Sequence, residues 1–195
     1  MSIQVHYKNK IFVILGIIAL ISIIVKLYST NFDLPIYSDN FDIAMRSFAH
    51  LGGNFDVSPN RNFGLSLFQS PFLLLANSDN FLDYSNIIRL FGIGASTTSI
   101  FVMYLLARKF FSEKYSLVAA SLFAFSPQLN YTAGLGETEA LFLLSLMCSL
   151  YFILRQTNDK LVFLSFVFAG IAYTIRPMGM IMIIILLIIY LIHFR

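Results

Sequence analysis

The chain has 195 residues, of which 58% are hydrophobic and only 12% are charged. A soluble domain needs far more polar surface, so this composition excludes a soluble globular protein and indicates an integral membrane protein. The net charge of +3 comes from basic residues scattered along the chain, which excludes the clustered basic face of a nucleic-acid-binding protein. A single cysteine, Cys148, excludes an internal disulfide framework.

Six apolar runs, each bounded by charged or turn-forming residues, predict six transmembrane helices. A hydrocarbon core of about 30 Å needs about 20 helical residues, so the third and fifth runs are short for a full crossing. We therefore predict an all-α membrane protein that forms a single transmembrane domain over residues 1–195. The runs are Ile11–Tyr28, Ile87–Ala107, Tyr115–Ser126, Ala140–Leu154, Leu161–Ile175 and Met178–Ile192.

The basic residues lie mainly on one side of these predicted spans. Eight of the 13 Lys and Arg residues fall at the N-terminus, in the connections after the second and fourth spans, and at the C-terminus, whereas eight of the 10 acids fall on the other side. The positive-inside rule then predicts that both termini lie in the cytoplasm. We predict a multi-pass protein of the plasma membrane. Lys26, near the outer end of the first span, is expected to extend its ammonium group outward to water.

The outer loop of residues 29–86 is predicted to carry helices that lie on the membrane surface. Apolar residues recur at helical spacing over residues 41–51, with Asp42, Arg46 and His50 on the opposite side, which predicts an interfacial amphipathic helix. Further along, an apolar stretch reads "NFGLSLFQSPFLLLA". It predicts one or two short helices, interrupted at the proline.

A second outer loop, residues 127–139, is predicted to have irregular backbone because Pro127 and several small residues interrupt the apolar pattern. Non-helical backbone at membrane depth is tolerated only when it is buried in protein or lines a wet cavity. Glu137 and Glu139 are therefore predicted to face a water-filled pocket open to the outside. The alternative for each is a purely structural role at the membrane interface, because a helix N-terminus favours an acidic side chain.

Two further charged residues have two interpretations each. Asp39 precedes the amphipathic pattern and either caps that helix or accepts a proton from an incoming hydroxyl, and Asp42 could share either role. Arg176, at a turn enforced by Pro177, either reaches phospholipid headgroups or binds a phosphate through its planar fork of donors. No spacing of His, Asp and Glu predicts a dedicated metal site, so no cofactor is predicted and assistance by a divalent cation is left open.

Several motifs follow one another along most of the chain: "SDNFDIAMRSFAHLGG", "GLSLFQSPFLLL", "RLFGIGASTTSIFVMYLLARKFF", "GETEALFLLSL" and "AGIAYTIRPMGM". Their order resembles the N-terminal membrane core of GT-C fold glycosyltransferases, in particular the protein O-mannosyltransferase and aminoarabinose-transferase group. Many relatives have an Asp-Glu pair where this chain has Asp39-Asn40. The second acid is therefore missing or is replaced by Asp42.

The resemblance implies a membrane enzyme that transfers a hexose or pentose from a polyprenyl phosphate to a protein, lipid or glycan acceptor on the extracytoplasmic side. It implies that Asp39 is the base or orienting group for the acceptor, that Glu139 binds the acceptor or the sugar, and that Arg176 contacts the phosphate. Glu137 is a further candidate for substrate binding. A single displacement assisted by one carboxylate predicts inversion at the anomeric carbon.

Two other classes of function are kept as alternatives. The carboxylates and Arg176 could line the path of a small transporter or channel subunit. Relatives continue through further spans beyond the position of Arg195, so the chain is also expected to be an incomplete GT-C core. It would then be a non-catalytic subunit, or a fragment of a split glycosyltransferase that needs a second polypeptide.

Overall fold

The computed structural model describes residues 2–36, 39–55, 63–76, 78–155 and 158–193. Within these ranges the chain forms nine α-helices and no β-strand, which confirms the predicted all-α class. The helices are α1 (Ser2–Ser29), α2 (Asp39–Leu51), α3 (Gly64–Leu73), α4 (Phe81–Ala107), α5 (Glu113–Ala124), α6 (Pro127–Leu135), α7 (Thr138–Arg155), α8 (Asp159–Ile175) and α9 (Gly179–His193).

Three helices of the described chain are long and apolar enough to cross a bilayer, judged by length and composition. They are Lys10–Ser29 within α1, all of α4 and all of α7. A shorter apolar helix follows over Gly179–Ile192. Helix α5 has 12 residues and α8 has 17, so the third and fifth predicted spans are helices but are short, as their run lengths predicted. The protein is therefore a membrane protein with helices of unequal length.

Helix α4 lies at the centre of the bundle and contacts α1, α3, α5, α6 and α7. One apolar cluster joins α1 to α4 and α5, and a second joins α7, α8 and α9. A third cluster joins α2 and α3 to the first half of α4 through Ala44, Leu73 and Ile88. Burial of these apolar side chains fixes the two short helices α2 and α3 against the end of the bundle where α4 begins.

Helix α2 exposes some of its apolar side chains and buries some of its polar ones. Phe41 and Met45 are each nearly half exposed, whereas Arg46 and His50 are buried. An exposed apolar side is expected of a helix that lies at the membrane surface, so the arrangement supports the predicted interfacial helix. Arg46 and His50 consequently face the protein, whereas Asp39 at the start of α2 is exposed.

The predicted irregular backbone of residues 127–139 is wrong over most of its length, because residues 127–135 form helix α6. Pro127 begins the helix, at a position where its missing N–H would have had no partner inside the helix. Gly136 ends it in the left-handed conformation, with φ of 73°. The residues that suggested a broken backbone thus mark the start and end of a short helix.

Two further predictions, the break at Pro71 and the outward direction of Lys26, were also wrong. Helix α3 continues through Pro71, and the hydroxyl of Ser70 donates a hydrogen bond of 2.9 Å to the Leu67 carbonyl that Pro71 leaves without its usual donor. Lys26 does not reach outward, because its side chain is only 1% exposed and Nζ donates to Ser22 Oγ at 2.5 Å. This ammonium group lies near the carbonyl end of α5, where the helix dipole favours a cation.

Any side chain at Gly136 is expected to destabilise the folded protein. An added Cβ would lie 2.7 Å from Ile88 Cγ2 and 3.1 Å from the Ile88 carbonyl oxygen, and the backbone is left-handed. Gly136→Ala is expected to lower the free energy of unfolding by about 1–3 kcal/mol, seen as a lower thermal midpoint in detergent.

Gly94→Ala is the matched control, because a Cβ at that glycine of α4 meets nothing within 4 Å. A helix-interior alanine there should leave the thermal midpoint unchanged or raise it slightly. Equal losses in the two variants would contradict a specific requirement for glycine at the α6–α7 turn.

Candidate functional site

The centre of the candidate site is an ion pair between Arg176 and Glu139. Arg176 Nη2 donates to Glu139 Oε1, and Arg176 Nε donates to Thr138 Oγ1 at 2.6 Å. The guanidinium also lies over the Phe142 ring, with 5.8 Å between Cζ and the ring centroid. The two charged side chains are 35% and 28% exposed, so the pair is held by the protein but remains accessible at its surface.

The turn between α8 and α9 positions Arg176. This residue has extended backbone (φ −142°, ψ 136°), as expected for a residue before proline. The turn is closed by a hydrogen bond of 2.9 Å from the Gly179 N–H to the Arg176 carbonyl. A Cβ at Gly179 would overlap the backbone of Ala172 and Tyr173. Close packing at this turn therefore directs the Arg176 side chain back toward α7.

The turn between α6 and α7 positions the carboxylates. Gly136 ends α6, and α7 begins two residues later at Thr138. Glu139 lies in the first turn of α7, where the helix dipole stabilises a negative charge. Glu137 lies between the two helices and is half-buried.

Electrostatic interactions connect Glu137 to the rest of the site. Burial raises the pKa of its carboxyl above the ordinary value of 4.5, and the negative charges of Glu139 and Asp39 raise this pKa further. The Arg176 guanidinium acts in the opposite direction and lowers it. Glu137 therefore interacts with carboxyl groups from α2 and α7 and with the Arg176 guanidinium.

Asn40 attaches the start of α2 to this site. Its side-chain Nδ2 donates a hydrogen bond of 3.1 Å to the carbonyl oxygen of Leu135, the last residue of α6. An ionised glutamate at position 40 could not donate this bond, because a carboxylate is only an acceptor. The amide that departs from the Asp-Glu pattern of relatives is therefore a structural contact that holds Asp39 near the α6–α7 turn.

Four of the five predicted site residues interact electrostatically, namely Asp39, Glu137, Glu139 and Arg176. The fifth, Asp42, forms an ion pair of 2.6 Å with Arg46 one turn later on α2. The functional roles of all five stay predictions. Within the described ranges, no group of three or more His, Cys, Asp or Glu side chains could hold a metal ion.

Sequence reasoning missed the contacts that orient Arg176. Thr138 is the middle residue of the "ETE" triplet, and it could have been recognised as a hydroxyl acceptor between the two acids. Phe142, one turn later on α7, carries no such signal, because a phenylalanine in an apolar run is usually a packing residue. The contact with Phe142 depends on the turn geometry of α8 and α9.

The raised pKa of Glu137 predicts a pH-dependent effect of Glu137→Gln. An acid whose pKa is higher in the folded than in the unfolded protein stabilises the fold below its ordinary pKa. This stabilisation is lost as the pH rises through the folded-state pKa. Glu137→Gln should therefore raise the thermal midpoint at about pH 7.5, and this gain should vanish below pH 4.5, the ordinary value.

Glu113→Gln is the control for this measurement, because Glu113 is an acid in the first turn of α5 that pairs with Arg108 at 3.3 Å. It should give no gain at the higher pH. A lower thermal midpoint for Glu137→Gln at that pH would contradict the inference that the folded protein disfavours the ionised Glu137 carboxylate.

Comparison with known families identifies the chain. It matches the family model described as dolichyl-phosphate-mannose-protein mannosyltransferase over residues 69–195, about two thirds of its length. The chain belongs to this family. The matched range includes Glu137, Glu139 and Arg176 of the candidate site, whereas Asp39 lies outside it. No curated protein sequence matches the chain significantly.

The fold agrees with the mannosyltransferase family assignment. The structure is similar to the crystal structure of the Archaeoglobus fulgidus oligosaccharyltransferase in the apo form, with a TM-score of 0.72 and 13% sequence identity. The match covers 88% of this chain and 24% of that one, so the chain spans about a quarter of the length of the oligosaccharyltransferase. This likeness shows a fold of the GT-C type.

Proposed function

We propose that this chain acts in a membrane glycosyltransferase that moves a sugar from a polyprenyl phosphate to a protein, lipid or glycan acceptor. The observation that carries the proposal is the cluster of Arg176, Glu139, Glu137 and Asp39 at one end of the bundle. Family membership supports the same reaction class. The cluster offers the two chemical groups that such a transfer needs, a cation for the phosphate and a carboxylate for the acceptor.

Arg176 is the proposed phosphate contact. Its Nε and Nη2 are used by Thr138 and Glu139, and its Nη1 has no hydrogen-bond acceptor among the described residues. An approaching phosphate oxygen can therefore accept from Nη1 while the two protein contacts hold the guanidinium in place. A positioned guanidinium stabilises the charge that develops on the departing phosphate.

Asp39 is the proposed base. The acceptor hydroxyl oxygen attacks the anomeric carbon, the bond from that carbon to the phosphate oxygen breaks, and the hydroxyl proton passes to the Asp39 carboxylate. The products are the glycosylated acceptor and a polyprenyl phosphate. A single displacement of this kind inverts the anomeric configuration. Glu139, with Glu137 and Asp42 as further candidates, is proposed to bind sugar or acceptor hydroxyls.

An apolar groove supports the assignment of a lipid carrier. A cavity of about 400 Å³ lies between α3, α4 and α7, and its lining on α4 extends from Ile87 to Ala95, about 12 Å along the helix. On α7 the lining begins at Leu141, two residues after Glu139. A hydrocarbon chain in this groove would bring a lipid-linked phosphate toward the charged cluster.

The charged cluster is proposed to face the extracytoplasmic side of the plasma membrane. The opposite end of the described bundle carries Arg108, Lys109 and Lys114 where α4 ends and α5 begins, and Arg155 and Lys160 where α7 ends and α8 begins. The positive-inside rule places this basic end in the cytoplasm, together with both termini. The same chain is proposed to form one GT-C transmembrane core that further helices complete.

Transfer of labelled sugar tests this function directly. Membranes that contain the chain are incubated with polyprenyl-phosphate sugars and acceptors, beside Glu139→Gln and the matched control Glu113→Gln. Glu113, like Glu139, is a first-turn glutamate paired with an arginine, but it lies at the basic end of the bundle. We expect transfer by the unaltered chain, its loss in Glu139→Gln, and its retention in the control.

Other outcomes would change the assignment. Solute flux in proteoliposomes without any sugar transfer would contradict the proposal and favour a transporter. Transfer that requires co-expression of a second polypeptide would identify the chain as one part of a split enzyme.

A further inference from the structure

Two cations from different helices lie beside the same tyrosine ring at the end of the bundle opposite to the candidate site. Lys109 Nζ is 6.0 Å from the centroid of the Tyr151 ring, and Arg155 Cζ is 5.9 Å from it. Arg155 Nη1 also donates a hydrogen bond of 3.2 Å to the Tyr151 hydroxyl. The two positive groups are therefore no more than about 12 Å apart.

Neither cation forms an ion pair within the part of the chain that the structure describes. The ion pairs there join Arg46 to Asp42, Arg108 to Glu113 and Arg176 to Glu139. The nearest acid of the α4–α5 turn is thus already used by Arg108. Two like charges that share one aromatic ring repel each other, and the attraction of the ring compensates only modestly. An anion between them would relieve this repulsion.

The location favours a membrane lipid as the source of that anion. Glu139 and Arg155 are 16 residues apart on α7, about 24 Å along the helix, so the two charged groups lie at opposite ends of one candidate span. Phe110 and Phe111, directly after Lys109, are both more than half exposed and offer an apolar surface for acyl chains. Basic side chains beside such a surface are typical of sites for anionic headgroups.

We propose that Lys109, Tyr151 and Arg155 bind the phosphate group of an anionic phospholipid in the leaflet opposite to the candidate site. The Arg155 guanidinium and the Lys109 ammonium donate to phosphate oxygens, and the Tyr151 hydroxyl can donate a further hydrogen bond while it accepts from Arg155. The ligand is distinct from the proposed lipid-linked donor, whose phosphate would lie about 24 Å away along α7. This inference does not depend on the proposed enzymatic function.

Binding of phosphatidylglycerol, followed by native mass spectrometry of the purified full chain, tests the proposal. We expect the double variant Lys109→Gln/Arg155→Gln to lose at least about ten-fold in apparent affinity, since each basic residue near an anionic lipid contributes roughly five-fold. The matched control is Lys114→Gln/Lys160→Gln, which removes the same charge from exposed positions at the same end. Its affinity should change little.

Three results would overturn the proposal. An equal loss in the control would show diffuse surface attraction rather than a defined site. Phosphatidylcholine that binds as tightly as phosphatidylglycerol would show that the site does not select an anionic lipid. Inorganic phosphate that displaces phosphatidylglycerol at similar concentrations would show a phosphate site without a lipid component.

Tyr151→Leu, which keeps both cations, should give an intermediate loss of affinity. Unchanged affinity in this variant would contradict a role of the Tyr151 ring in the site.

Discussion

Replacement of Arg176 by glutamine is expected to reduce sugar transfer by about 10²- to 10³-fold, the range found when one preorganised donor to a developing charge is removed. The guanidinium is held by Thr138 and Glu139 and lies over the Phe142 ring, so it is oriented before substrate arrives. Glutamine removes the positive charge and leaves Glu139 and Glu137 without the cation that opposes their repulsion. Both effects weaken binding of a phosphate.

Arg176→Lys separates charge from geometry. Lysine keeps the charge but cannot reproduce the planar fork that reaches Thr138 and Glu139 together, so an intermediate rate is expected. Arg108→Gln is the control, because Arg108 forms the equivalent arginine–glutamate pair at the other end of the bundle. Rates are compared at equal amounts of folded protein in the membrane. Transfer by Arg176→Gln at the unaltered rate would exclude a phosphate contact for this residue.

The composition of the site could be predicted from the sequence because each of its residues marks a boundary between helices. Pro177 requires extended backbone at Arg176, and Gly136 ends a helix directly before Glu137. Charged residues at such boundaries lie at the ends of spans, and alternate turns of a multi-pass protein meet on the same side. The grouping of Arg176 with the carboxylates follows from these local signals.

The contacts themselves could not be predicted, since they join residues far apart in the chain. Asn40 and Leu135 are 95 positions apart, and Ser22 and Ala124 are 102 apart. In the sequence Asn40 stands out only as an amide in place of an acid, yet this amide is the donor that attaches α2 to α6. Lys26 donates to Ser22 one turn earlier on α1, and Ser22 in turn donates to Ala124 only because α5 ends beside α1. Tertiary packing decides which polar groups are satisfied inside the bundle.

Asp39→Asn is expected to reduce sugar transfer by about 10²- to 10⁴-fold, the usual contribution of a general base. The substitution is nearly isosteric, and it removes the ability of the side chain to take a proton from the acceptor hydroxyl. Asp33→Asn is the matched control, because Asp33 is an exposed acid in the segment before α2. Its transfer rate should equal that of the unaltered chain.

The choice of asparagine also separates catalysis from helix capping at Asp39. Asn and Asp are comparable residues at a helix start, so the stability of α2 should be almost unchanged, apart from a small loss of charge–dipole interaction. Asn40 keeps its hydrogen bond to Leu135 in this variant and holds α2 in place. A large fall in transfer at an unaltered thermal midpoint would therefore assign a chemical role to the carboxylate. Unchanged transfer would leave Asp39 as a structural residue at the start of an interfacial helix, and the base would have to be sought among Glu137 and Glu139.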